Sequence, residues 1–115
     1  MAGPLQGLKV IEMVGIGPAP FCAMALADLG AEVIRIDRPQ TGDPKAAADK
    51  ARFDVTARGR RSLAIDLRKP GAAETVLQLV EKADLLIEGF RPGVMERLGL
   101  GPDVCLARNP KLVFG

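Results

Sequence analysis

Apolar residues in this chain come in short runs separated by glycine, proline and charge, and the runs alternate between two periods. Leu8, Val10, Ile11, Met13 and Val14 form a near-continuous run that breaks at Gly15, with the length and composition of a buried strand. Pro20 suits a first helical turn, where its missing N–H would have no partner anyway. Phe21, Met24, Ala25 and Leu29 then recur at helical spacing until Gly30 stops the helix. Val33, Ile34 and Ile36 start a second strand, which closes on Asp37 and Arg38. The pattern over 8–38 therefore predicts one strand, a crossover helix and a parallel strand.

Turn formers and charge dominate the next stretch, PQTGDPKAAADKARFDVTARGRR, which predicts a surface loop with at most a short helix over 46–52. Leu63, Ala64, Ile65 and Leu67 predict a third strand, and Pro70 opens a helix whose buried face is Ala73, Val76, Leu77 and Val80. Leu85, Leu86 and Ile87 predict a fourth strand. A short helix over 94–98 should end at Gly99, and another should run from Pro102 to Asn109, before Pro110. Leu112, Val113 and Phe114 begin a fifth strand. Strands alternating with helices, and apolar along nearly their whole length, predict an α/β fold with a parallel sheet covered by helices on both faces. Ligands of such sheets bind beyond the carboxyl ends of the strands.

Composition narrows the chemistry. The 115 residues allow one domain, and the 48% apolar content supplies a core built mostly of Ala, Val, Ile and Leu. With four Phe and no Trp or Tyr, there is little material for stacking on nucleic-acid bases. No stretch approaches the ~20 apolar residues of a membrane span, and the N-terminus lacks the apolar core of a signal peptide, so the chain reads as cytoplasmic. Cys22 and Cys105 fit no metal or redox spacing and read as buried, reduced thiols. The absence of His removes the commonest general base and metal ligand. Net charge is +2 overall, yet residues 35–69 hold ten basic against five acidic side chains, which suggests a local anion site. Arg58, Arg60 and Arg61, around Gly59, read as a solvated face in preference to an anion-facing cluster.

Gly15, Ile16 and Gly17 follow a strand, open a helix and stand about twenty residues before Asp37, as a dinucleotide fingerprint would. The chemistry does not match. Pro18 and Pro20 have no N–H to aim at a pyrophosphate, and Pro20 occupies the third glycine's place, so the stretch reads as a tight strand-to-helix turn, with a loop shaped to pass close to some other ligand left open. Three strands share an ending in which an acid precedes an arginine: Asp37 and Arg38; Asp66 and Arg68; Glu88 and Arg91. In a parallel sheet these lie along one edge, where guanidinium forks suit phosphate oxygens and Gly89 would let a ligand approach the backbone. The alternative is that each acid pairs with its neighbouring arginine as a surface salt bridge.

The segments PLQGLKVIEM, GIGPAPFCAMALADLGAEVIRIDRP, RGRRSLAIDLRKP, ADLLIEGFRPGVMERLGLGPDV and NPKLVFG resemble the type III CoA-transferase superfamily over nearly the whole chain. Within it the chain looks most like the racemases of 2-methylacyl-CoA thioesters, because it carries Ile36-Asp37-Arg38-Pro39 and Glu88-Gly89-Phe90 where transferases usually differ. The resemblance implies a Rossmann-like fold forming the N-terminal, CoA-binding part of a larger enzyme that interlocks as a homodimer. It implies that Arg38 and Arg97 contact the CoA phosphates and that Ile65, Asp66, Leu67 and Arg68 border the adenosine. Gly89, Phe90 and Arg91 would continue that pocket, and Ile16, Gly17 and Pro18 would face the acyl chain. Arg68 stands where Lys is common, which keeps the charge but alters its reach. The His and Asp that such racemases use for proton transfer would lie downstream of Gly115, so no catalytic residue is expected in this chain. No metal or separate cofactor is implied, since CoA enters as part of the substrate.

Overall fold

The computed structural model describes residues 3–115. In chain order these form β1 (Lys9–Met13), α1 (Pro18–Asp28), β2 (Glu32–Asp37), α2 (Pro44–Phe53), a 3₁₀ turn (Val55–Ala57), β3 (Arg61–Ala64), α3 (Ala72–Val80), β4 (Leu85–Ile87), α4 (Val94–Arg97), α5 (Pro102–Arg108) and β5 (Val113–Phe114). All five strands are parallel, in the order β3-β2-β1-β4-β5. The chain builds outward from β1 in one direction and then restarts on its other side with β4. That reversal leaves a crevice at the carboxyl ends of the strands, where open α/β sheets bind ligands.

Alternation along each strand assigns its side chains to two cores. On one face Val10, Val33 and Ile87 pack against Ala19, Ala23 and Ala27 of α1, whose small side chains let the helix lie close to the sheet. On the other, Ile11, Met13, Ile36 and Leu86 meet Val76, Leu77 and Val80 of α3, Met95 of α4 and Cys105 of α5. Full burial of a side chain such as Leu86 contributes about 2–3 kcal/mol.

The elements follow the predicted order, with informative shifts. Helix α1 begins at Pro18, with Pro20 still in its first turn, and α3 begins at Ala72, behind Gly71, rather than at Pro70. Helix α2 is longer than expected, because Pro44 opens it and the Asp43 carboxylate accepts the Lys45 N–H at 3.0 Å. None of its residues is buried. Helices cover the centre of the sheet but not its β3 edge, where every residue is exposed. There the sheet outruns α3, leaving a hollow of about 400 Å³ near the amino ends of β1 and β2, lined by Ile11, Ile34, Leu63 and Leu79 among others. Cys105 is buried as expected, and burial pushes its thiol pKa up, but Cys22 is exposed because it lies on the outer face of α1. Among the described residues no helix is long and apolar enough to cross a membrane.

Candidate functional site

Strand β3 ends at Ala64 because its partner β2 ends at Asp37; Ile65 makes one further bond, from its N–H to the Asp37 carbonyl at 2.9 Å, and then leaves the ladder. The apolar alternation of Leu63, Ile65 and Leu67 thus reads correctly as burial but overextends the strand. Ile65 and Leu67 instead wall a cleft of about 710 Å³ at the carboxyl end of the sheet. Val14 and Ile36 form its floor side, Pro39 and Thr41 come from the chain after β2, and Phe90, Val94 and Leu98 close it from beyond β4. Asp37, Arg38, Asp66, Arg68 and Arg91 also line it. A volume of this size and an apolar lining with a few converging charges are usual for small-molecule sites.

Seven of the residues anticipated at a ligand site therefore share one cleft: Arg38, Ile65, Asp66, Leu67, Arg68, Phe90 and Arg91. Arg97 lies just outside its lining, on α4, with its guanidinium folded back toward Gly93. Gly89 is not part of the lining either. A Cβ there would stand 3.2 Å from the Ala19 Cβ, so this glycine admits helix α1, while the residue itself is exposed. Ile16, Gly17 and Pro18 lie in the β1–α1 turn at the same sheet end but outside the cleft, Ile16 being 92% exposed and Gly17 and Pro18 forming the start of α1.

The three acid–arginine endings behave differently from one another. Asp66 does pair with Arg68, accepting from its Nε at 3.1 Å and from its backbone N–H at 3.1 Å, and hydrogen bonding from the Arg68 guanidinium holds its carboxyl below the usual range. Glu88 instead accepts the Phe90 N–H at 2.8 Å, fixing the turn after β4, and makes no pair with Arg91. Asp37 turns away from Arg38 and accepts from Arg35 Nε at 2.9 Å and from the Ser62 hydroxyl. Among the described residues Arg38, Arg91 and Arg97 have no ion-pair partner, whereas Arg35, Arg58, Arg60 and Arg68 each have one and Arg108 has two. An unpaired guanidinium facing a partly apolar cleft is suited to an incoming anion, which it can meet with two parallel N–H bonds.

The 58–61 cluster is not simply a solvated face. Arg58 forks onto Asp28 of α1, at 2.7 and 3.2 Å, and Arg60 runs inside to Glu12 on the central strand, 2.7 Å away. Between them Gly59, at φ +75°, sits against Ala27. Burial pushes the Glu12 pKa up, with Arg60 and then Arg35 opposing it. The signal for this pair was present in the sequence: a single acid inside the run Val10-Ile11-Glu12-Met13-Val14 needs a buried cation.

Comparison with known proteins finds chains similar to this one. The model of CoA-transferase family III matches residues 5–115. Human alpha-methylacyl-CoA racemase is 46% identical over 96% of the chain and 27% of its own length. The alpha subunit of the Chloroflexus aurantiacus succinyl-CoA–L-malate CoA-transferase is 42% identical over 96% of the chain and 28% of its own length. A crystal structure of a hypothetical protein from Mycobacterium tuberculosis superposes with a TM-score of 0.86 at 39% identity, covering 98% of this chain and 32% of that one. The chain thus spans about a quarter of the length of the curated relatives it matches.

Proposed function

The chain belongs to CoA-transferase family III, and from that premise we propose that it supplies the CoA site of an enzyme that inverts the alpha carbon of 2-methylacyl-CoA thioesters. The observation that carries this reading is the pair of unpaired guanidinium groups, Arg38 and Arg91, on one cleft at the carboxyl end of the sheet. CoA is a thioester carrier with a diphosphate and a 3′-phosphate at its nucleotide end. Arg38 and Arg91 would hold phosphate oxygens, with Arg97 joining them from α4. Ile65, Leu67 and Phe90 would cover the adenosine, and Asp66, its charge balanced by Arg68, would border it. The turn Ile16, Gly17 and Pro18 would face the acyl chain. CoA enters in this reading as part of the substrate and not as a separate cofactor.

In the reaction itself a base removes the proton alpha to the thioester carbonyl, hydrogen-bond donors hold the enolate oxygen, and an acid returns a proton to the opposite face. The contribution of this chain is binding and orientation, as the N-terminal part of a longer, homodimeric protein. A second reading, transfer of CoA between carboxylic acids, is favoured by the 42% identity to a succinyl-CoA–L-malate CoA-transferase subunit. The two differ in what the full-length protein does to a single substrate. A racemase exchanges the alpha proton of 2-methylacyl-CoA for deuterium in D₂O without an acceptor acid; a transferase needs the acceptor and moves CoA to it.

Arg38→Ala tests the placement of the CoA site. In the full-length protein it is expected to weaken acyl-CoA binding by about 2 kcal/mol, as loss of a charge-assisted hydrogen bond does. It should raise KM more than it lowers kcat, because the phosphates do not change on the way to the transition state. A pantetheine thioester, which lacks the nucleotide phosphates, should be nearly indifferent to the change. Equal effects on both substrates, or none on either, would overturn the placement.

A further inference from the structure

Residues on the α1 face of the sheet determine why Arg38 is unpaired. Along β2, Arg35 and Asp37 point to that face, as does Glu12, which is register partner of Arg35 on β1. Ser62, the register partner of Arg35 on β3, is the fourth side chain there, and its hydroxyl donates to Asp37. The charges alternate across the strands. Arg60 neutralises Glu12 at 2.7 Å, which leaves Arg35 to Asp37 at 2.9 Å. Asp37, which itself lines the cleft beside Arg38, is thus occupied by Arg35 and Ser62, and the guanidinium that follows it in sequence is left without an ion-pair partner.

Without Arg35, a half-buried carboxylate would stand uncompensated at the mouth of the cleft, one residue from Arg38. It would repel an anionic ligand and compete for the Arg38 guanidinium at once. We propose that Arg35 is a positioning residue for the anionic end of the ligand: it sequesters and neutralises Asp37, and so keeps Arg38 available to phosphate. The inference rests on the CoA reading above, and it assigns a specific task to a residue that does not line the cleft. Arg60 stands one step further back, since it spares Arg35 from pairing with Glu12.

The test is CoA binding to the full-length protein by isothermal calorimetry, with Arg38→Ala as the reference variant. Arg35→Met is expected to weaken CoA about tenfold, and Arg35→Gln, the more soluble replacement, should do the same. Arg35→Lys, which keeps the charge, should stay within about threefold of the parent. The double variant Arg35→Met/Asp37→Asn should recover most of the lost affinity, because the stranded carboxylate has gone with its partner. Failure of the double variant to recover would make Arg35 a merely structural residue and overturn the proposal. So would an Arg35→Met or Arg35→Gln protein that binds CoA normally while Arg38→Ala does not. If Arg38→Ala itself binds CoA normally, it is the CoA reading that fails, and the proposal falls with it.

Discussion

Glu12 Oε1 lies 2.7 Å from Arg60 Nε in the interior, with the two side chains only 0% and 1% exposed. None of their five polar side-chain atoms makes a hydrogen bond of ordinary geometry, so the contact is an ion pair held by the surrounding packing. It joins the central strand to the end of the long connection that leaves the cleft at Arg38 and returns as β3. Removing one partner strands the other's charge. Arg60→Met should cost about 3–5 kcal/mol of stability, whereas Glu12→Met/Arg60→Met should regain most of it, since no charge is then left buried. Urea unfolding of the full-length proteins checks this; a double variant as unstable as the single would mean that Arg60 acts through its packing alone.

Asn109 ends α5 and at the same time caps α3, donating through Nδ2 to the carbonyls of Val80 at 2.9 Å and Ala83 at 2.8 Å. Val80 is the last residue of α3, its carbonyl otherwise met only by the Ala83 N–H at 3.1 Å, and Ala83 lies in the turn that follows. Asn109→Ala should therefore destabilise by about 2 kcal/mol. Asn109→Asp should be no better, because a carboxylate has no N–H to give. Stability of the Asp variant equal to the parent at pH 7 would rule out the donor role.

Gly89 leaves room for Ala19, so volume added there should act through α1. Gly89→Val is expected to cost about 1–3 kcal/mol through overpacking, and Ala19→Gly in the same chain should return part of it. The check is whether the two changes are additive in thermal unfolding. Strict additivity would mean that the two residues do not share the contact.

Acid should weaken one surface tie in particular. Arg108 Nη2 donates to Glu74 at 2.7 Å and its Nη1 to Glu81 at 2.8 Å, and hydrogen bonding from Arg108 holds the Glu74 carboxyl below its usual range. Because the folded pKa lies below the unfolded one, Glu74's contribution is complete above about pH 4.3. It is lost as pH falls through the depressed value. Arg108→Gln should lower stability at pH 6 and leave it closer to the parent at pH 3. A constant gap between the two proteins across that range would exclude the linkage.

The sequence by itself determined the alternation of strands and helices and the apolar faces, because burial imposes a period of two or 3.6 on residues that are local in the chain. It also pointed to Arg38, Ile65 to Arg68, Phe90 and Arg91 as neighbours, since parallel strands bring every carboxyl end to one edge. What tertiary structure alone decided is the pairing of charges. Nothing local tells that Arg60 goes to Glu12, Arg58 to Asp28 and Arg35 to Asp37, as each partner is chosen by strand order and by the packing of α1. The same holds for Gly89, whose missing side chain makes room for a helix seventy residues earlier in the chain. Arg38, Arg68 and Arg91 look alike in sequence, each following an acid, yet only Arg68 is tied to its acid. The difference arises because Asp37 and Glu88 find other donors first, in Arg35 with Ser62 and in the Phe90 N–H, and those donors come into range only when the sheet and its turns have formed.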